Sequence, residues 1–91
     1  MTSIAADARP RLAPGCRLRE SELETMLLFP EGMLRLKGTG AAILKRCDGT
    51  RTYAEIVAEL QREFDSAPAD AITRETEAFL VRLQEKRVVD F

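Results

Sequence analysis

The residues of this chain that could do chemistry are few and scattered. It contains no histidine, so it lacks the commonest general base and metal ligand at neutral pH. No Ser-His or Cys-His nucleophile pair can therefore form. The two cysteines, Cys16 and Cys47, lie far apart, without the short spacing of a metal site. Cys47 falls on the apolar side of a short helical run, which predicts a reduced core thiol rather than a nucleophile. Gly38-Thr39-Gly40 precedes a helix, but neither GxxxxGK(S/T) nor a full GxGxxG is present, so the segment reads as a hinge and not as a phosphate loop. Among the carboxylates, Glu55 fits a helix cap, and Glu59, Glu63 and Asp65 fall on a solvated helix face. Arg74, Arg82, Lys86 and Arg87 interleave with Asp70, Glu75, Glu77 and Glu85, the pattern of a salt-bridged surface. Tyr53, the only tyrosine, sits within an apolar stripe and reads as packing. These residues predict no enzyme, no metal and no cofactor.

Composition narrows the class further. Ninety-one residues make one small domain with a modest core. The 45% hydrophobic content predicts a folded chain, and the 32% charged content predicts a water-exposed surface. With 14 basic and 15 acidic residues the net charge is −1, which gives no general attraction to nucleic acid or an anionic membrane. There is no run of about 18 apolar residues that would span a bilayer. The start of the chain has no apolar signal region, and the expectation is a cytoplasmic protein with reduced thiols.

The elements that must position a site follow from periodicity. Residues 1–9 are small and polar and read as a flexible tail, leaving residues 10–91 as the domain. Pro10 and Pro14 keep the next stretch extended. Residues 16–19 alternate and predict strand one. Residues 25–29, TMLLF, predict strand two. Pro30-Glu31-Gly32 is turn chemistry. In residues 33–36, Leu34 and Leu36 share one face and Met33 and Arg35 the other, as in a half-buried strand three. Helix one is expected at about 39–48, with Ile43, Leu44 and Cys47 inward and Gly49 as a left-handed C-cap. Thr52 and Glu55 form a capping box. It opens helix two, 53–64, with Tyr53, Ile56, Val57, Leu60 and Phe64 on one face. Ser66 is the expected N-cap and Pro68 the first turn of helix three, 68–86. Ile72, Thr76, Phe79, Leu80 and Leu83 make its core stripe, and Val81 points nearly opposite. Val88, Val89 and Phe91 form an apolar tail expected to pack back. The fold class is α+β: a three-stranded antiparallel meander followed by a three-helix bundle, similar to a winged helix-turn-helix.

Taken in order, these residues resemble the PqqD family, coenzyme PQQ synthesis protein D, a precursor peptide recognition element of peptide-modifying pathways. The resemblance is carried by Pro10-Arg11-Leu12, Gly15, Arg17-Leu18-Arg19, Pro30-Glu31-Gly32, Leu34 and Leu36, Thr39, and Ala41-Ala42-Ile43-Leu44. Cys47-Asp48-Gly49-Thr50, Ile56-Val57, Leu60, Phe79-Leu80 and Leu83 continue it. It covers nearly all the chain after about residue 10. The departures are Lys37 where the family usually has Asn, Gly40 where Ala is usual, and Arg87 where Gly is common.

The resemblance implies a non-catalytic adaptor in pyrroloquinoline quinone biosynthesis. It would bind the precursor peptide PqqA as an added strand and present it to the radical SAM enzyme PqqE, whose clusters do the chemistry. The open edge of strand three invites such pairing. The expected peptide-binding residues are Met33, Leu34, Arg35 and Leu36 on that strand, with Arg74, Glu77 and Val81 on helix three. The alternatives are a winged-helix DNA-binding module, whose basic footprint is missing, and an enzyme or quinone-binding component. Glycines around Thr39 also predict a hinge, with a monomer when dilute and a domain-swapped homodimer at high concentration.

Overall fold

A computed structural model of the chain describes residues 4–91. Its main sheet is the expected meander, in the order β2 (Arg17–Glu20), β3 (Thr25–Phe29), β4 (Gly32–Leu36), preceded by a short β1 (Arg11–Leu12). The register sorts side chains by face. Leu18, Leu27 and Leu34 lie in one cross-strand row, and Glu20, Thr25 and Leu36 in the next. Leu27 and Leu36 are buried against the helices, so this is the inner face. Strand one begins one residue later than expected, because the Cys16 N–H turns back to the Ala13 carbonyl at 3.0 Å.

Three helices cover the inner face: α1 (Gly38–Lys45), α2 (Tyr53–Glu63) and α3 (Ala69–Glu85). The core joins Leu27, Ile43, Leu44, Ile56, Leu60 and Leu80, all essentially without solvent contact. Thr76 is fully buried among them, with its hydroxyl donating to the Ile72 carbonyl at 2.7 Å. The capping box of α2 forms as expected. Thr52 Oγ1 accepts from the Glu55 N–H at 3.1 Å, and Glu55 Oε1 accepts from the Thr52 N–H at 2.8 Å.

Several local expectations are corrected. Gly38, Thr39 and Gly40 are no open hinge; they are the first turn of α1, so exchanging the meander between chains would require unwinding helix. Gly40 is placed against the Phe79 ring, where a Cβ would sit 3.3 Å from the nearest ring carbon. Gly49 has the positive φ foreseen for it, +80°. It is not the C-cap, however, since α1 ends at Lys45 and Arg46 holds that position. Gly49 sits in the following turn and donates its N–H to the Pro10 carbonyl at 3.0 Å. Ser66 does not cap α3; Pro68 holds the N-cap position, extended and without a side-chain cap.

The two ends of the chain meet in a second sheet that periodicity did not reveal. β1 pairs antiparallel with β5 (Val89–Asp90), and the Ala13 N–H joins the Val88 carbonyl at 2.9 Å. Val88 and Val89 are buried as expected of the apolar tail. Residues 1–3 of the expected tail lie outside the described residues. Residues 4–9 make contacts that a tail reading leaves out. Ile4 is buried in the core, and the Ala8 and Ala6 carbonyls accept from the N–H groups of Tyr53 and Ala54 at 2.7 and 3.0 Å. These are donors of the first turn of α2, which have no partner within their own helix.

Arg87 ends α3 in the left-handed region at φ 61°. The Arg87 N–H bonds the Gln84 carbonyl and the Val88 N–H bonds the Leu83 carbonyl, both at 2.9 Å, which is a Schellman closure normally built on glycine. Arg87→Gly should therefore raise stability by roughly 0.5–1 kcal/mol, as relief of the left-handed strain exceeds the added chain entropy; urea denaturation measures it. Gly40→Ala should act in the other direction. Its helix-propensity gain, at most about 1 kcal/mol, is outweighed by overpacking against Phe79. The expected result is a lower melting temperature, and a rise would show that the ring moves aside freely.

Candidate functional site

The thiols are not poised for chemistry. Cys47 is buried, its Sγ donates to the Ile43 carbonyl at 3.3 Å, and burial pushes its pKa up to about 12. Cys16 is half-buried and also raised, first by burial and then by the charge of Asp90. Both are protonated at neutral pH and are weak nucleophiles.

A polar cleft of about 870 Å³ lies between the β2–β3 loop, α1 and α2. Its cations are mostly engaged. Arg35 pairs with Glu24, Lys45 with Glu20, Arg46 with Glu59 and Glu63, and Arg51 with Asp48 and Glu59. Glu59 and Glu63 are thus not simply solvated, as their positions on α2 suggested. Arg46 also donates to the Ala42 carbonyl at 3.0 Å, so one guanidinium ties the end of α1 to α2. This cleft is a brace between helices rather than an empty anion site.

The β4 edge presents different chemistry. β4 pairs with β3 on one side, and no strand pairs with its other side among the described residues. Alternate N–H and C=O groups therefore point away from the sheet. Beside this edge lies a cleft of about 380 Å³ lined by Leu27, Phe29, Glu31, Leu34, Leu83, Lys86 and Val88. Leu34 is on the inner face yet 44% exposed, because the cleft separates it from α3. The floor is apolar, and Glu31 and Lys86 are exposed charges of opposite sign at its margin.

The seven residues expected at the site fall in four places. Leu34 lines this cleft. Leu36 is buried in the core, so only its backbone is open to a partner. Met33 and Arg35 are exposed on the outer face of the sheet, opposite the cleft. Arg74, Glu77 and Val81 line a separate shallow groove along α3, with Thr73, Ala78, Arg82 and Glu85. Val81 and Leu83 are two positions apart, about 200° around the helix, so Val81 turns away from the β4 cleft. Contrary to expectation it does not point fully away from the core, but is half-buried and packs against its margin. Leu27, Phe29, Glu31, Leu83, Lys86 and Val88 line the β4 cleft without having been expected there. Phe29 and Leu83 carried only a core signal in sequence, and Val88 belonged to a tail whose docking site was not legible.

The chain matches the model of the family described as PqqD, coenzyme PQQ synthesis protein D, over residues 24–89. It is 36% identical over 91 residues to a PqqA binding protein of Xanthomonas oryzae pv. oryzae, covering 98% of each chain. It is 46% identical over 82 residues to a PqqA binding protein of Stutzerimonas stutzeri, covering 88% of this chain and 87% of that one. Among solved structures it is similar to the PqqD truncation of Methylobacterium extorquens PqqCD, determined by solution NMR and described as a stand-alone RiPP recognition element. There the TM-score is 0.77 and the identity 33%, over 99% of this chain and 97% of that one.

The brace predicts a fold that loses stability in acid. Asp48 Oδ1 accepts from the Thr50 N–H, the Thr50 hydroxyl and the Arg51 N–H, which holds its carboxyl at about 2, below the ordinary 3.8. Arg46 depresses Glu59 in the same direction. Carboxyl groups lowered on folding stabilise the chain above their unfolded value of about 4. That contribution is lost as pH falls toward about 2, where protonation favours the unfolded state. The melting temperature should fall through this window, and Asp48→Ala should flatten the fall; thermal melts at stepped pH measure both.

Proposed function

This chain belongs to the PqqD family, and from that footing we propose that it binds the precursor peptide PqqA as a recognition element in PQQ synthesis. The observation that carries the reading is the unpaired β4 edge beside the apolar cleft. An extended peptide adds to β4 as a fourth strand. Its main chain meets the outward N–H and C=O groups, each hydrogen bond giving a net of roughly 0.5–1.5 kcal/mol. Side chains at every second peptide position turn to the inner face and enter the cleft against Leu34, Leu83 and Val88. Glu31 and Lys86 add a charge preference at the margin.

The role of the chain is non-catalytic. It holds the peptide extended, which lowers the ordering cost when an enzyme engages the same peptide. The enzyme in this reading is the radical SAM protein PqqE, which receives PqqA as presented on β4.

Titration of isotope-labelled protein with PqqA should shift amides of residues 32–36 and 83–88 most. Leu34→Glu should weaken PqqA binding at least about tenfold, one buried apolar contact being replaced by a charge. Leu34 is 44% exposed, so the variant should remain folded by circular dichroism. Largest shifts confined to β2 and α2 would sink the reading.

A further inference from the structure

The outer face of the sheet is built differently from the groove. Six strand residues point there, in two cross-strand rows. Arg17, Leu28 and Met33 form one, and Arg19, Met26 and Arg35 the other. No strand residue on this face is acidic. Arg17 and Arg19 are exposed, Met33 is 62% exposed, and Leu28 and Met26 are half-buried. Arg35 is exposed and has one partner, the half-buried Glu24 at 3.3 Å, a surface pair that contributes little to stability. Among the described residues, Arg17 and Arg19 make no ion pair. Three guanidinium groups thus surround an apolar strip that no helix covers. Arginine and methionine are the residues enriched where proteins meet, one for bidentate pairing with carboxylates and the other for adaptable packing.

We propose that this outer face docks an acidic, apolar-centred patch of the peptide-modifying enzyme, leaving the β4 cleft free for the peptide. The inference rests on the recognition role proposed above and adds the second surface which that role requires. Charge complementarity selects the occupant. A second copy of the chain would set arginine rows against arginine rows. An anionic bilayer would meet Glu20, Glu22 and Glu24 at the end of the same sheet, which repel it. A protein patch can place carboxylates over Arg17, Arg19 and Arg35 alone. The face spans roughly 230 Å² from the spacing of strands of four, five and five residues, against about 800 Å² per partner in a stable complex. It is therefore the centre of a larger contact, with strongly salt-dependent association. Arg17 and Arg19 lie on β2, at the opposite edge from β4, so both partners fit at once.

The test uses the full-length chain, with purified PqqE and PqqA as separate probes. Wild type, Arg17→Gln/Arg19→Gln and Arg17→Glu/Arg19→Glu are compared by calorimetry at low and high salt. The neutral variant keeps the test valid if charge reversal disturbs the fold, which thermal melts report. The expected result is PqqE affinity reduced about tenfold or more by the neutral pair and further by the reversed pair, with a shallower salt dependence and PqqA affinity within about twofold of wild type. Equal PqqE affinity in folded variants that still bind PqqA would overturn the docking face and leave the recognition role standing. A wild-type chain that binds PqqE and not PqqA would remove the recognition role instead. Wild-type binding to phosphatidylserine vesicles that depends on Arg17 and Arg19, with no binding to PqqE, would also overturn the proposal.

Discussion

Backbone donors and acceptors must find partners, and this small domain is arranged around that constraint. The first turn of α2 carries N–H groups with no partner in the helix. Thr52 satisfies one, and the carbonyls of Ala6 and Ala8 satisfy those of Ala54 and Tyr53. The segment before β1 is thereby drawn against the helices and Ile4 enters the core. The same requirement joins β1 to β5 and fixes the end of α3. Among the described residues no strand meets this requirement at the outer edges of β2 and β4, and the β4 edge is the one proposed to take another strand.

Packing then decides what that edge can bind. A three-stranded sheet buries one face on α1, α2 and α3, but α3 leaves a gap beside Leu34 rather than closing over it. Leu36, two residues along the same face, is fully committed to the core. One strand therefore serves stability at one end and exposes an apolar surface at the other. The thiol of Cys47 and the hydroxyl of Thr76 are consumed by helix carbonyls, and Arg46 and Arg51 of the polar cleft by Glu59, Glu63 and Asp48. The accessible chemistry is main-chain pairing, apolar contact and exposed charge, which suits recognition.

Much of the framework was legible in the sequence because it is local. Period-two alternation placed β2 and β4, a continuous apolar run placed β3, period 3.6 placed α2 and α3, and the Thr52–Glu55 pair marked the start of α2. The division of Met33 and Arg35 from Leu34 and Leu36 followed from the pleat and is the division the register shows. The absence of histidine, and the Cys47 position on an apolar stripe, limited the chemistry before any coordinates. The ordered motifs pointed to the PqqD family, to which the chain belongs.

What only the tertiary structure decided depends on contacts between residues far apart in the chain. Two-residue strands such as β1 and β5 have too little pattern to announce themselves and exist because the chain ends meet. Gly40 reads as a hinge glycine in isolation, but it is helical and lies against Phe79. Val81 and Leu83 are equally apolar in sequence; helix geometry and the position of the sheet put only Leu83 in the β4 cleft. Periodicity tells which residues share a face, because that follows from the backbone repeat. It cannot tell which element covers the face, or leaves it open, because that is set by packing across the whole chain.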